Sequence, residues 1–377
     1  MHKSIAVFNI SVLATSLAIS QTPIFAQQAE LSTQDLIKEA PAASINSTQT
    51  FWTPENLSNA KPLSLPLSYN GVVTGQTSEV TGKAQSSPGA RPKVEISINQ
   101  QPLFRPNELE VQSQKVQPHN RGTKDAYFTS SQLLPLSNDT SYPYTTTGKL
   151  FFTKPGVGNF VCSASVVRPR IIMTAGHCVH SGSGGADGFY NNFLFIPAYR
   201  DGAAPYEQWS WSRVIVTGSW SNGGGGVPNS ADYAIIELSD KEFNGVTRKI
   251  GEVVGYLGYR TLSLLPNHVT MLGYPVNLNN GQKMHQVTAG SYGDGGNNTG
   301  VYGSDMRGGS SGGPWVQNFG VAASGQVDGL NTNPNQIVGV TSYGSTEVGP
   351  LYIGSSILDD QFIRILNTAC NWQSGNC

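Results

Sequence analysis

Between Lys149 and Ser342 the chain is cut into short apolar runs of strand length, each closed within a few residues by Gly, Asn, Pro or Ser. The runs are 149–153, 159–167, 193–197, 213–216, 234–238, 269–273, 284–288, 313–316 and 337–342. None is long enough for a core helix, and 159–167 partly alternates small or polar with apolar residues, as a half-buried strand does. Short strands joined by turns at this spacing predict an all-β barrel or sandwich. Composition agrees: there are 43 glycines, and charged residues make up only 12%, about half the usual share. Only the end reads as helix. Ser355 or Ser356 could cap it, with Asp359 and Asp360 in its first turn and Leu358, Phe362, Ile365 and Leu366 on one face.

The segments before this region differ. Residues 1–26 have a basic start at Lys3, an interrupted apolar stretch and a small residue, Ala26, at the end, the pattern of a secretory signal. Residues 27–124 are rich in Ser, Gln, Asn and Pro and read as a propeptide or linker, largely irregular. The domain proper is expected at 125–377. A secreted protein, extracellular or periplasmic, fits the four cysteines, which permit three pairings. Closeness in sequence favours Cys162 with Cys178 and Cys370 with Cys377. The first bond would stabilise by about 3 kcal/mol on a loop-entropy argument. Cys178 neighbours His177 and His180, but this spacing fits no common zinc pattern. A net charge of −1 supplies no electrostatic reason to expect nucleic acid or an anionic membrane as partner.

Three segments carry chemistry: Thr174-Ala175-Gly176-His177-Cys178, Asp232-Tyr233-Ala234-Ile235-Ile236 and Gly309-Ser310-Ser311-Gly312-Gly313-Pro314. A serine hydroxyl is a weak nucleophile near neutral pH, so it needs a base, and the base needs an orienting group. Ser311 can attack, His177 can take the proton, and Asp232 can fix the imidazole tautomer. The backbone N–H groups of Gly309 and Ser311 can receive the oxyanion. Taken singly, each residue is more simply a surface histidine, a turn aspartate or a loop serine; together they describe a serine hydrolase. Gly309 to Gly313 also fits the G-x-S-x-G elbow of α/β-hydrolases, which would make a serine esterase. That fold needs its histidine after the serine, and here no histidine follows Ser311.

With His, Asp and Ser in that order, the chain from about Tyr144 onward resembles the chymotrypsin/trypsin-like serine peptidases. The resemblance implies two six-stranded antiparallel β-barrels with a C-terminal helix, and a cleft between the barrels. It supports the Cys162–Cys178 pair and implies cleavage of protein or peptide substrates through an acyl-enzyme, without metal or cofactor. Leu272-Gly273-Tyr274-Pro275 and the run Asp305 to Ser311 are similar to the bacterial glutamyl-endopeptidase branch. Asp305 stands where trypsin-like members carry the carboxylate that selects Arg or Lys, and Ser342-Tyr343-Gly344 where the substrate-binding strand runs. Met306 and Thr341 depart from the hydroxyl and the histidine that Glu specificity asks for. Ser310 replaces the aspartate that latches the new N-terminus of trypsin-like zymogens, so activation must use the pro-region, an inhibitor of its own enzyme, in another way. Arg121-Gly122 and Lys124-Asp125 are then candidate self-cleavage bonds. A catalytically silent binding protein on the same fold is the other reading. Activity should rise from acid to neutral and alkaline pH as His177 loses its proton.

Overall fold

The computed structural model describes residues 34–41, 44–68, 82–106, 119–122, 124–243, 245–327, 329, 331–346 and 349–377; the signal-like residues 1–26 lie outside them. Six strands form a closed antiparallel barrel: Thr147–Lys154, Gly158–Arg168, Ile171–Thr174, Asn191–Pro197, Trp209–Val216 and Ala234–Leu238. Closure comes from pairing of Trp209 with Phe195 and Ser210 with Leu194. Its interior holds Leu150, Val166, Ile172, Phe193, Val214 and Ile236, all fully buried. Side chains of this size contribute about 1.5–3 kcal/mol each on burial.

The second unit is an eleven-stranded sheet. Its centre runs Tyr343–Ser345, Tyr352–Ser356, Thr299–Gly303, His285–Gly296, His268–Gly273, Pro314–Gln317 and Gln336–Val340. The two ends approach where the Ser342 N–H donates to the Gly354 carbonyl (2.9 Å) and the Val340 N–H to Ser355 Oγ (2.9 Å). The expected second barrel is therefore present as a sheet that curls nearly shut, interrupted at Thr341 and Ser342. Met271, Tyr302, Trp315, Val338 and Ile353 fill it.

Residues 34–106 are largely irregular where described, yet they are not separate from the rest. Leu36–Glu39 pairs with Trp209–Val216, and Lys61–Pro62 with Gly158–Arg168. Leu67–Ser68 pairs with Tyr343–Ser345, and Ser86–Ser87 with Gly258–Arg260. These additions cover strand edges that would otherwise expose unpaired backbone. Trp52, Leu57 and Phe104 are buried, packed with Phe151, Tyr199 and Leu272 of the later chain. The segment has too little apolar sequence for a core of its own and borrows one.

The glycine-rich run 291–300 forms a hairpin: strand His285–Gly296 passes through it and turns at Asn297-Asn298 into Thr299–Gly303. Both turn residues have positive φ (49° and 57°), the conformation that two-residue hairpins need and that Asn tolerates. Ser355 and Ser356 belong to a strand and do not cap the last helix. That helix is Asp360–Cys370, and Asp359 caps it by accepting from the Gln361 N–H. Phe362, Ile363, Ile365, Leu366 and Ala369 face the first barrel. Disulfides join Cys162 to Cys178 and Cys370 to Cys377.

Candidate active site

Strand Ile171–Thr174 ends in a single tight turn, Gly176–Cys178, which the disulfide ties back to Gly158–Arg168. Ala234 pairs with Thr174, so Asp232, two residues earlier, falls beside His177. A Cβ on Gly176 would come within 2.8 Å of Trp220 Cγ and 2.9 Å of Asp232 Oδ1. Glycine there lets the histidine turn close onto the carboxylate.

Asp232 is fully buried and heavily bonded. Its Oδ1 accepts from the His177 N–H (2.8 Å), and its Oδ2 lies 2.8 Å from His177 Nδ1. The Ser342 hydroxyl also donates to Oδ2, and the Asp232 N–H donates to Ser356 Oγ (2.9 Å). A carboxylate is acceptor-only, so Nδ1 carries the proton and Nε2 is left free to act as base. His177 Nε2 and Ser311 Oγ are both buried without a hydrogen-bond partner among the described residues. Ser342, expected to line the substrate strand, thus also bridges the sheet to the aspartate. Neither its hydroxyl nor that of Ser356 could be assigned this task from sequence, because a serine in a strand has no local signature.

Ser311 is held against the first barrel by contacts between the two units. The Ser163 N–H donates to the Ser311 carbonyl (2.8 Å), and the Gly312 N–H to that of Thr341 (2.8 Å). Ser163 Oγ donates to the Gly309 carbonyl (2.9 Å) and accepts from the Tyr274 N–H (3.0 Å), which fastens the Ser311 loop to the first barrel. Gly309 has φ +87°, and its N–H donates to the carbonyl of Leu63 (2.9 Å). Ser310, in place of a latch aspartate, turns its hydroxyl onto the Arg307 carbonyl (2.8 Å) and closes the loop locally.

Asp305 is fully buried six residues before Ser311. Its Oδ1 accepts from Ser130 Oγ (2.8 Å) and its Oδ2 from the His119 N–H (2.7 Å). Burial pushes its carboxyl up, and these two donors oppose the shift. As the chain stands, Asp305 is not open to a basic side chain: each oxygen already has a partner. Tyr343 Oη bonds Thr299 Oγ1 (2.9 Å), and the Gly344 N–H donates to the Pro66 carbonyl (2.8 Å). Cys162, His177 and Cys178 cluster, but both sulfurs are in the disulfide and offer no thiolate to a metal.

Behind Asp305, His285 Nε2 lies 2.9 Å from Ser130 Oγ. The Ser130 proton goes to Asp305, so Nε2 is the donor, and Nδ1 is buried without a partner among the described residues, which disfavours a second ring proton. Burial lowers the His285 pKa from 6.5 to about 4. The unfolded chain takes up this proton near pH 6.5 and the folded one only near 4, so stability is lost as pH falls across that window. His285→Gln should flatten the acid limb of a stability-versus-pH curve by on the order of 2 kcal/mol. Urea titrations at pH 7 and pH 4.5 check this, and equal slopes for both proteins would refute it.

Comparison with known proteins identifies the family. The family model described as Trypsin matches residues 137–362. A glutamyl endopeptidase of Bacillus licheniformis is 30% identical over 142 residues, covering 37% of this chain and 39% of that protein. An extracellular metalloprotease of Bacillus subtilis is 26% identical over 155 residues, 41% and 43% of the two chains. The chain thus spans about two fifths of the length of these curated relatives. Among solved structures, the thermostable serine protease AL20 from an extremophilic microorganism superposes with TM-score 0.49 at 28% identity, over 61% of this chain and 98% of its own. The protease Anisep of Arthrobacter nicotinovorans gives 0.48 at 28%, over 59% and 94%. Because the Trypsin model takes in more than half of the 377 residues, including all three segments around His177, Asp232 and Ser311, the chain belongs to the trypsin family.

Proposed function

We propose that the protein is a secreted serine endopeptidase that works through a His177–Asp232–Ser311 triad. The observation that carries this is the Gly309 N–H: it already holds a peptide carbonyl oxygen, that of Leu63, two residues before the buried Ser311. Ser311 Oγ attacks the carbonyl carbon of the substrate while His177 Nε2 accepts its proton. The oxyanion is held by the N–H groups of Gly309 and Ser311. His177 then gives the proton to the leaving amine, and water repeats the sequence on the acyl-enzyme. Asp232 stabilises the imidazolium and keeps the tautomer. No helix among the described residues is long and apolar enough to cross a membrane.

Cleavage after Arg or Lys is the proposed preference of the processed enzyme. His119 lies in the amino-terminal region, so processing after Arg121 or Lys124 would withdraw its N–H and open Asp305 Oδ2, while Ser130 stays. A peptide-library digest read by mass spectrometry tests both parts. Cleavage after Arg or Lys, abolished in Ser311→Ala, supports them. Cleavage after Glu, the residue that the name of the B. licheniformis relative points to, would make Asp305 a structural carboxylate. No cleavage of any peptide by the processed chain would favour a silent binding protein.

A further inference from the structure

Resting on that reading, we infer that residues 61–68 are a built-in plug that crosses the catalytic cleft with backbone polarity opposite to a substrate, and so blocks the site without being cut. The segment Lys61-Pro62-Leu63-Ser64-Leu65-Pro66-Leu67-Ser68 runs from the first barrel to the second unit. Lys61 and Pro62 pair in parallel with Phe160 and Val161, and the Leu63 N–H donates to the Val161 carbonyl (2.9 Å). The Leu63 carbonyl then accepts from Gly309. Pro66 accepts from the Gly344 N–H, and Leu67 and Ser68 pair in parallel with Gly344 and Ser345.

Polarity follows from the proton that His177 must deliver. The leaving amine has to lie on the side of His177, the first barrel, so the part of a substrate after the scissile bond runs along Gly158–Arg168. The part before it runs along Tyr343–Ser345, antiparallel to that strand. The plug does the reverse: its earlier residues lie on the first barrel and its later ones on the sheet. The nitrogen that would leave from the Leu63–Ser64 bond therefore points towards the sheet, away from His177. Addition of Ser311 to the Leu63 carbonyl could only collapse back, because no acid protonates the amine.

The plug is held by more than backbone. Leu65 is buried (2% exposed) among the apolar residues of the second unit, in the same cluster as Met306 and Trp315. A Cβ on Gly344 would meet Leu65 Cδ2 at 2.8 Å, so glycine there makes room for this side chain. A Cβ on Gly308 would come within 2.9 Å of the Leu63 oxygen, so the nucleophile loop is also shaped to the plug. His177 is only 6% exposed, and Ser311 is fully buried.

The test is the rate at which a fluorophosphonate labels Ser311 in the full chain. The intact chain should label at least 50-fold more slowly than Leu65→Asp, and Leu65→Ala should fall between them. Unchanged near-UV circular dichroism controls for folding, and the milder variant keeps the test open should the aspartate misfold. Mass spectrometry should find residues 61–68 uncut in the intact chain after long incubation. Labelling of the intact chain as fast as of Leu65→Asp overturns the plug. Cutting at Leu63–Ser64 that is absent from Ser311→Ala overturns the reversed polarity. If no form labels, including chain nicked in the amino-terminal region by added subtilisin, the serine-peptidase reading itself fails and the inference falls with it.

Discussion

Ser311→Ala should lower kcat for peptide hydrolysis by about 10⁴- to 10⁶-fold while leaving the fold intact. The hydroxyl is fully buried with no hydrogen-bond partner among the described residues, so its removal breaks no recorded contact. The Ser311 carbonyl and the Gly312 N–H, which hold the loop to Ser163 and Thr341, are untouched. His177→Ala should cost a similar factor. The double variant should cost no more than either alone, because a base without its nucleophile has nothing to activate. The residual rate reflects oxyanion donors and binding. Single-turnover hydrolysis of one defined peptide, by the parent chain and the three variants after the amino-terminal region of each has been nicked with added subtilisin and the subtilisin removed, measures this. Multiplying losses in the double variant would mean that the two residues act independently, and the triad assignment would be wrong.

Gly312→Ala should destabilise the protein by about 3–5 kcal/mol. Two effects add. Its φ is +78°, where an L side chain costs about 1 kcal/mol. The new Cβ would lie 2.0 Å from Thr174 Oγ1 and 2.4 Å from the Ser163 carbonyl, both buried. Thr174 is pinned by its own bond to that carbonyl (2.9 Å), so it cannot simply swing aside. Melting should fall by roughly 8–15 °C for a domain of this size. Gly185→Ala is the control: its φ is +57°, but nothing lies within 4 Å of its Cβ. It should cost only the backbone penalty, about 1 kcal/mol. Equal losses from the two alanines would show that conformation, and not the close approach of the two units, sets the cost at Gly312.

The proposed catalytic trio stands out in the sequence because its members carry distinctive neighbours with them. Gly176 and Gly312 are needed next to His177 and Ser311 by close approaches of 2.8 Å and 2.0 Å, and such needs leave a mark within a few residues. The strands at 149–153, 193–197 and 234–238 were legible from apolar runs. Those at 299–303 and 352–356 were not, because Thr-Gly-Val-Tyr-Gly and Tyr-Ile-Gly-Ser-Ser are half small residues. Their place depends on partners: Val301 faces Gly354 and Tyr302 faces Ile353 across the ladder. The serines at 163, 342 and 356 brace the site through hydroxyls that any serine possesses. What distinguishes them is the partner, and that partner is 111 residues away for Ser163 with Tyr274 and 110 for Ser342 with Asp232.

Residues 61–68 mark the boundary between the two kinds of information. By itself, the sequence determined which side chains could do chemistry, that the domain is built of short strands, and that a poorly apolar segment precedes it. It could not say that Lys61 to Ser68 lies in the cleft, or in which direction, since a Pro- and Ser-rich stretch reads as a linker. Only the tertiary structure decided that, and the reason is physical. The segment is held largely by backbone N–H and C=O groups, on Val161, Gly309 and Gly344, and every residue type except proline carries the same pair.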